Sequence, residues 1–133
     1  MSGDADLIND RFKGTLAETL GMRVVEATRD RVVAELAVRE ALTTVGGSLH
    51  GGTLMAFADT LGAAATMLNL PEGAGTTTIE SKTNFFAGVR SGVVRAESTP
   101  LHRGKRTMVW QTRVTDESGR LLSLTIQTQM VLT

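Results

Sequence analysis

The chain has 133 residues, 41% of them hydrophobic, and 14 basic side chains balance 14 acidic ones, so the formal net charge at pH 7 is zero. This length predicts one domain over residues 1–133 with an ordinary core, and zero net charge provides no field that would attract nucleic acid or an anionic membrane. The lack of cysteine excludes disulfides, thiol nucleophiles and thiolate metal ligands.

Helical spacing of apolar residues predicts a helix over 6–13 and a short turn over 15–20, which together form an N-terminal helical segment over 1–20. A loop over 39–50 leads to a long helix over 51–70, which Pro71 ends. Six segments alternate with the period of a β-strand: 22–28, 31–38, 76–86, 92–102, 106–116 and 120–132. In the last segment one face carries Leu122, Leu124, Ile126, Thr128, Met130 and Leu132.

The strand segments are separated by turns typical of antiparallel hairpins, the first of them at Arg29-Asp30. Six such strands and a single long helix indicate an α+β fold, in which an antiparallel six-stranded sheet wraps around one long central helix. Such a sheet has two edges, and pairing an edge with a second copy of the chain would protect it. We therefore expect at least a homodimer.

Two segments bear on location. Residues 1–6 are polar and acidic, unlike a signal peptide, and the apolar run 51–70 is interrupted by Asp59, by threonines and by glycines, unlike a membrane span. The expectation is a cytoplasmic protein without a membrane or nucleic-acid partner.

The long helix contains one unusual residue. From Ala41 to Pro71 the only formally charged side chain is Asp59, and His50 is the only other titratable group. The residues around Asp59 are apolar on nearly every side, which is typical of a helix surrounded by protein. Because burying a lone carboxylate is costly, Asp59 requires an explanation.

His50-Gly51-Gly52 stands where the loop becomes the helix. The first N–H groups of a helix lack intrahelical partners and carry partial positive charge, so this end can act as an oxyanion hole. Asp59 follows about two turns later, ~11 Å along the axis, and a symmetric dimer with antiparallel helices would place one helix start opposite the other chain's Asp59. A flexible glycine junction, a structural histidine and an aspartate bonded to Thr60 remain alternatives.

Three runs together resemble the hotdog-fold acyl-CoA thioesterases: His50-Gly-Gly-Thr-Leu-Met-Ala-Phe-Ala-Asp59-Thr60, Ile79 to Gly92, and Arg103 to Thr107. The resemblance covers the chain from about residue 20 onward, and is to the branch of the phenylacetate-degradation and 4-hydroxybenzoyl-CoA thioesterases. It implies hydrolysis of acyl-CoA or aryl-CoA thioesters without a metal or cofactor. It also implies a homodimer or homotetramer with the site across the dimer interface.

The resemblance assigns roles by position. Asp59 matches the catalytic carboxylate, as nucleophile or general base, and Gly51 matches the residue whose N–H polarises the thioester carbonyl. His50 matches a histidine that positions the thioester, and Gly52 completes the turn. Where related enzymes carry Asn or Gln six residues before this histidine, the chain has Thr44, whose shorter hydroxyl would have to do that work.

Further positions match the substrate groove. Thr77 and Thr78 match a polar segment contributed by the partner chain near the attacking water. Phe85 and the turn Arg103, Gly104, Lys105 and Arg106 match positions that line the CoA groove. Three cations around a glycine turn suit phosphates, although a solvated hairpin turn explains them equally well.

The acyl group and the mechanism remain open. The small residues Gly62, Ala63, Ala64 and Ala65 suggest room for a sizeable acyl or aryl group, with Val45, Leu49 and Phe57 as candidate walls. Two other functions are alternatives: an acyl-CoA hydratase or dehydratase of the same fold, and a non-catalytic acyl-CoA-binding protein.

Overall fold

One long helix crosses a face of a six-stranded antiparallel sheet in the computed structural model, which describes residues 3–133. The helices are α1 (Gly3–Arg11), α2 (Leu16–Leu20) and the long α3 (Gly51–Met67), with a 3-10 turn at Glu40–Leu42. The strands are β1 (Arg23–Ala27), β2 (Val32–Ala37), β3 (Gly75–Phe85), β4 (Val93–Arg103), β5 (Thr107–Thr115) and β6 (Leu121–Leu132). This arrangement confirms the α+β prediction.

The strand order is β1-β2-β4-β5-β6-β3, and all neighbours are antiparallel. Helix α3 connects β2, which is next to one edge of the sheet, to β3, which forms the opposite edge. Strand β3 is 11 residues long and pairs only with β6, along its full length. The second side of β3 is therefore an open edge.

The hydrophobic core lies between α3 and the β1-β2-β4-β5 part of the sheet. Phe57, Leu61 and Ala65 of α3 are fully buried there, against Trp110 of β5 and its neighbours. Burial of these aliphatic and aromatic side chains stabilises the fold and fixes how α3 crosses the sheet.

The β6-β3 part of the sheet has a different surface toward the helix. In β6 the polar residues Ser123, Thr125, Gln127 and Gln129 are fully buried. Of the alternating apolar residues, Leu122 belongs to the core, but Met130 and Leu132 are 40% and 46% exposed. The apolar face predicted for this strand is therefore not continuous with the core, because the buried positions of β6 carry mainly polar groups.

Helix α1 begins three residues and ends two residues earlier than predicted, and the strand ends differ by one residue or less. Helix α3 ends at Met67, not Leu70, because the Asn69 side chain donates hydrogen bonds to the carbonyls of Ala65 and Arg29, 3.0 and 2.9 Å away. The first hairpin has the predicted two-residue turn, since Thr28 and Arg31 pair across Arg29-Asp30 and the Thr28 N–H donates to the Arg31 carbonyl at 2.9 Å. In residues 3–133, none of the helices combines the length and hydropathy of a membrane crossing.

Candidate active site

The start of α3 presents one unused backbone donor. His50 caps the helix, and its Nδ1 accepts a hydrogen bond from the Gly52 N–H at 2.7 Å. The N–H groups of Thr53 and Leu54 both bond to the His50 carbonyl. Of the first four N–H groups of α3, that of Gly51 alone has no acceptor within residues 3–133. Because Nδ1 accepts, the proton of the neutral imidazole lies on Nε2.

Phe85, at the end of β3, covers this helix start. Its ring atoms Cε1 and Cζ lie 3.2 Å from the position that a Cβ atom on Gly51 would occupy. The ring itself is half exposed, so it stands between the helix start and solvent. The structure therefore brings together four of the predicted site residues: His50, Gly51, Gly52 and Phe85.

Asp59 lies two turns further along α3 and is half-buried. Its Oδ1 accepts hydrogen bonds from Thr78 Oγ1 at 2.8 Å and from Gln127 Nε2 at 3.0 Å. These donors explain how the apolar helix tolerates a carboxylate, and Thr60 is not among them. No described residue donates to the second oxygen, Oδ2, which leaves that atom available for chemistry.

Thr78 reaches Asp59 from the edge strand of the same chain. The expectation that this segment contributes to a site shared with a partner chain stays a prediction. Behind it, the fully buried Gln129 donates from Nε2 to Thr78 Oγ1 at 2.5 Å, and Thr76 donates to Gln129 Oε1 at 2.9 Å. The Asp59 carboxylate is thus attached to a polar network that spans β3 and β6.

Sequence reasoning missed both glutamines of β6, Gln127 and Gln129. The available signal was the alternation of polar residues in that strand opposite the threonines of β3. Gln129 is the direct cross-strand partner of Thr78. A polar row facing a helix that carries a lone carboxylate indicates a hydrogen-bonded site.

Gly51 and Asp59 do not meet within one chain. Both belong to the same helix, and seven or eight residues separate the helix start from the carboxylate, ~11 Å along the axis. Each chain therefore contains two separate candidate half-sites: the helix start with Phe85, and the carboxylate with Thr78 and Gln127.

Thr44 and Thr77 join neither half-site. Thr44 lies in an exposed turn in which its N–H donates to the Ser48 carbonyl at 2.8 Å, while its hydroxyl makes no hydrogen bond to the described chain. Gly46 and Gly47 of this turn have φ of 95°, which explains the glycine pair there. Thr77 is exposed on β3, and its side chain likewise makes no hydrogen bond within residues 3–133.

The predicted CoA-binding turn connects β4 to β5, and its cations differ in what they contact. Arg103 donates to the Asp30 carboxylate at 2.8 Å and to the Asn69 side chain at 3.2 Å, so it ties the first hairpin to the end of α3. Lys105 and Arg106 are exposed, with no ion pair in the described part of the chain. The Gly104 N–H closes the turn by donating to the Thr107 carbonyl at 2.9 Å.

A cavity of about 340 Å³ lies between α3 and the N-terminal helices. Its lining includes Thr60, the residue directly after Asp59, together with Ala63, Ala64 and Met67. The sequence-based expectation of room beside small helix residues therefore holds for Ala63 and Ala64. A larger cavity of about 590 Å³ lies at the far end of α3, next to residues 71–76.

The other residues proposed to shape an acyl pocket have different roles. Gly62 packs against Gln127, and Ala65 is buried in the core. Leu49 and Phe57 also belong to the core, while Val45 is fully exposed in the loop. Across residues 3–133, no group of three or more His, Cys, Asp or Glu side chains is arranged to hold a metal ion.

Comparison with known proteins agrees with the geometry. Residues 46–123, more than half of the chain, match the family profile of the thioesterase superfamily. The proofreading thioesterase EntH of Cronobacter turicensis is 32% identical over 86% of this chain and 84% of its own. The 1,4-dihydroxy-2-naphthoyl-CoA hydrolase of Listeria monocytogenes is 29% identical over 82% of this chain and 89% of its own.

The crystal structure of a thioesterase from Haemophilus influenzae superimposes with a TM-score of 0.93 at 29% identity, covering 97% of this chain and 90% of the other. The agreement extends over the sheet, the long helix and the N-terminal helices, since almost the whole chain is covered. The chain therefore belongs to the thioesterase superfamily and is a thioester-hydrolysing enzyme with the hotdog fold.

Proposed function

We propose that the enzyme hydrolyses acyl-CoA or aryl-CoA thioesters to the free acid and CoA, in a homodimer whose active site combines two chains. The observation that carries this proposal is the division of the site. The Asp59 carboxylate is oriented by two hydrogen bonds, and the Gly51 N–H has no acceptor within residues 3–133. Both residues belong to one helix but lie ~11 Å apart along its axis.

An uncovered stripe along α3 supports pairing of two helices. Gly52 and Met55 are exposed and Asp59 is half-buried, at spacings that place all three on one side of the helix. If a two-fold axis passes near Met55, Gly51 of one chain faces Asp59 of the other, because each lies four residues from that axis. The open edge of β3, with Ile79 55% exposed, offers a second strip for the same partner. Two such dimers can form a tetramer.

In this arrangement the thioester carbonyl accepts a hydrogen bond from the Gly51 N–H of one chain. Asp59 of the other chain either deprotonates the attacking water or attacks the carbonyl carbon itself to form an anhydride that water then hydrolyses. In both routes the carbonyl oxygen gains negative charge, the C–S bond breaks and CoA leaves as the thiolate, which then takes up a proton. An N–H donor at the developing oxyanion is the contribution that stabilises the transition state most.

Two features support a CoA ester as substrate. Lys105 and Arg106 are exposed cations free of ion pairs in the described chain, and Arg103 beside them contacts Asn69, ten residues or about 15 Å along the helix direction from Asp59. This separation suits a molecule whose phosphates and thioester are at opposite ends of a long arm. The name of the Listeria relative, a hydrolase of an aromatic CoA ester, supports an aryl group as acyl component.

The hydratase alternative is less well supported. Such chemistry needs a histidine free to move protons beside an acid, whereas Nδ1 of His50 is occupied by the Gly52 N–H, and His50 makes no ion pair within residues 3–133. An acyl-CoA-binding protein without turnover would not need a carboxylate in this apolar helix, nor the hydrogen bonds that compensate it.

The direct test is thiol release from a panel of short, long and aromatic acyl-CoA esters, with wild type beside Asp59→Asn. We expect turnover by the wild type and its loss in the variant, with the CoA ester still bound and the melting temperature unchanged. Wild-type turnover by Asp59→Asn would refute the proposed carboxylate. Binding without turnover by the wild type would favour the acyl-CoA-binding alternative.

The shared site is tested by complementation. Gly51→Val and Asp59→Asn are each expected to be inactive as homodimers, but a heterodimer of the two keeps one intact site. A one-to-one coexpression should restore about a quarter of wild-type activity, because half of the dimers are mixed and each has one working site of two. No recovery in purified heterodimers would mean that the site lies within one chain.

A further inference from the structure

We propose that Gln127 is a positioning residue for the Asp59 carboxylate and that residue 62 is glycine in order to admit it. This inference rests on the catalytic role proposed for Asp59. Gln127 belongs to β6, is fully buried and faces the middle of α3. Its Nε2 donates to Asp59 Oδ1 at 3.0 Å and approaches the Asp59 backbone carbonyl at 3.3 Å.

The nitrogen and the oxygen of the Gln127 amide differ in their hydrogen bonding. Both hydrogen bonds of Nε2 go to Asp59, whereas the buried Oε1 has no partner in the described part of the chain. The opposite orientation would turn Oε1 toward the carboxylate and the Asp59 carbonyl, where three acceptors would face one another. Asp59 therefore dictates the orientation of the amide.

Fold stability alone does not explain a glutamine at this position, although its N–H group also compensates the Asp59 carboxylate. A buried polar atom without a partner destabilises the folded state, and an apolar side chain of similar length would avoid that loss. Methionine, which is unbranched and of similar length, is such a side chain. The glutamine makes sense where its N–H group serves Asp59.

Gly62 provides the matching space on the helix. A Cβ atom at this position would stand 2.0 Å from Oε1 and 2.3 Å from Cδ of Gln127, closer than side chains tolerate. The backbone there is ordinary helix, because Gly62 is not among the glycines with positive φ. A glycine in a helix interior weakens the helix relative to alanine. Gly62 thus weakens the helix relative to alanine, and Gln127 leaves a buried oxygen without a partner in the described chain. The two residues contact each other directly.

Together with Thr78, Gln127 places two donors on a single oxygen of Asp59. Two donors from different strands fix the carboxylate rotamer and leave Oδ2 directed away from them. Catalysis is sensitive to such placement, since a displacement of about 1 Å can cost on the order of a hundredfold in rate. Gln127 contacts no substrate in this scheme and acts only through Asp59.

The test compares Gln127→Met, Gly62→Ala and the double variant with wild type, by kcat, KM and melting temperature. We expect each single variant to lower kcat about tenfold or more while KM changes less than about twofold, because substrate contacts remain. The melting temperature of Gln127→Met should change little, because the loss of a donor to Asp59 opposes the removal of a buried oxygen without a partner. The double variant should match the single variants in kcat, because all three lose the same hydrogen bond.

Thr112→Val is the matched control. Thr112 is another fully buried polar residue of the sheet, but its hydroxyl donates to Ser98 and has no connection to Asp59. It should keep wild-type kcat even if its melting temperature falls.

Three outcomes would overturn the inference: wild-type kcat in Gln127→Met, multiplicative losses in the double variant, or a loss of kcat that follows the melting temperature in all variants including the control. If Gln127→Met does not fold, Gly62→Ala decides by the same criteria. An inactive Asp59→Asn beside a fully active Gln127→Met would refute the positioning role alone, whereas an active Asp59→Asn would refute the proposed function as well.

Discussion

The ring of Phe85 lies against Gly51, with two of its atoms 3.2 Å from the position of a Cβ atom on that glycine. A Cβ atom on residue 51 would crowd the ring, which would have to shift by a few tenths of an ångström. The lack of a side chain on Gly51 therefore lets Phe85 pack closely over the helix start.

Gly51→Ala should lower kcat/KM by about 10- to 100-fold, because the added methyl group displaces either Phe85 or the thioester by a fraction of an ångström. The folded state should be as stable as wild type, since alanine is a better helix former. The measurement is steady-state thiol release together with thermal unfolding. Gly75→Ala, where a Cβ atom meets nothing within 4 Å, is the control and should keep wild-type kinetics.

Thr78 and Thr77 form a matched pair on β3. Thr78→Val removes a donor to Asp59 and the acceptor of the buried Gln129 N–H, so we expect at least about a tenfold loss of kcat and about 1–3 kcal/mol of destabilisation. Thr78→Ser should retain most activity. Thr77→Val changes an exposed hydroxyl that makes no hydrogen bond to the described residues, and a comparable loss there would contradict the assignment of Thr78.

Lys105 and Arg106 should act on the nucleotide end of the substrate. The double variant Lys105→Gln/Arg106→Gln should raise KM for an acyl-CoA several-fold at low salt, with the difference shrinking as salt increases, and leave kcat unchanged. The same acyl group on a short thiol without phosphates should show no difference between variant and wild type. An equal effect on both thioesters would argue against phosphate binding at this turn.

The cavity beside Thr60 should set the size of the acyl group. Ala63→Leu adds three carbons to its wall, so kcat/KM for an aromatic acyl-CoA should fall at least about tenfold relative to acetyl-CoA. Met67→Leu conserves volume in the same wall and should change the ratio little. If both variants leave the ratio unchanged, the acyl group lies elsewhere, and the larger cavity beyond Met67 becomes the candidate.

The order of helices and strands was predictable because it depends on periodicity, and Gly51, His50 and Asp59 were candidate site residues because they interrupt an apolar pattern. The surroundings of Asp59 were not predictable in the same way. Which residues of β6 turn toward the helix depends on register, and an apolar row misleads where the buried row is polar, as it is at Gln127 and Gln129. Asp59 and Gln127 are 68 positions apart, and their contact depends on the strand order, in which β6 lies beside β3.

The basic turn illustrates a second reason. Three cations in sequence were treated as one group, but the fold divides them, because Arg103 is at the end of β4 where the first hairpin and the end of α3 meet. Arg103 forms an ion pair with Asp30. Tertiary contacts decide which cations form ion pairs within the chain and which remain available to a ligand. The spacing of these residues along the chain does not encode that difference.

Asp116 lies in the turn between β5 and β6, away from the candidate site. We expect it to make a pH-dependent contribution to the stability of the folded state. The Ser118 hydroxyl, 2.6 Å from its Oδ1, and then the Arg120 N–H hold the pKa of Asp116 below its ordinary value of 3.8. A carboxyl whose pKa is lower in the folded state stabilises that state above the unfolded pKa, and this contribution is lost as pH falls through the folded pKa.

Asp116→Asn should therefore melt at a lower temperature than wild type near pH 7, and the gap should close as pH is lowered below about 4. Thermal unfolding of both proteins between pH 7 and pH 2.5 measures the gap, and kcat at pH 7 should be unchanged because the turn contacts neither half-site. Glu117→Gln, beside it and without hydrogen bonds in residues 3–133, should melt with wild type at pH 7. A gap that persists at the lowest pH would mean that the asparagine disturbs the turn itself, and that the charge of Asp116 is not what stabilises it.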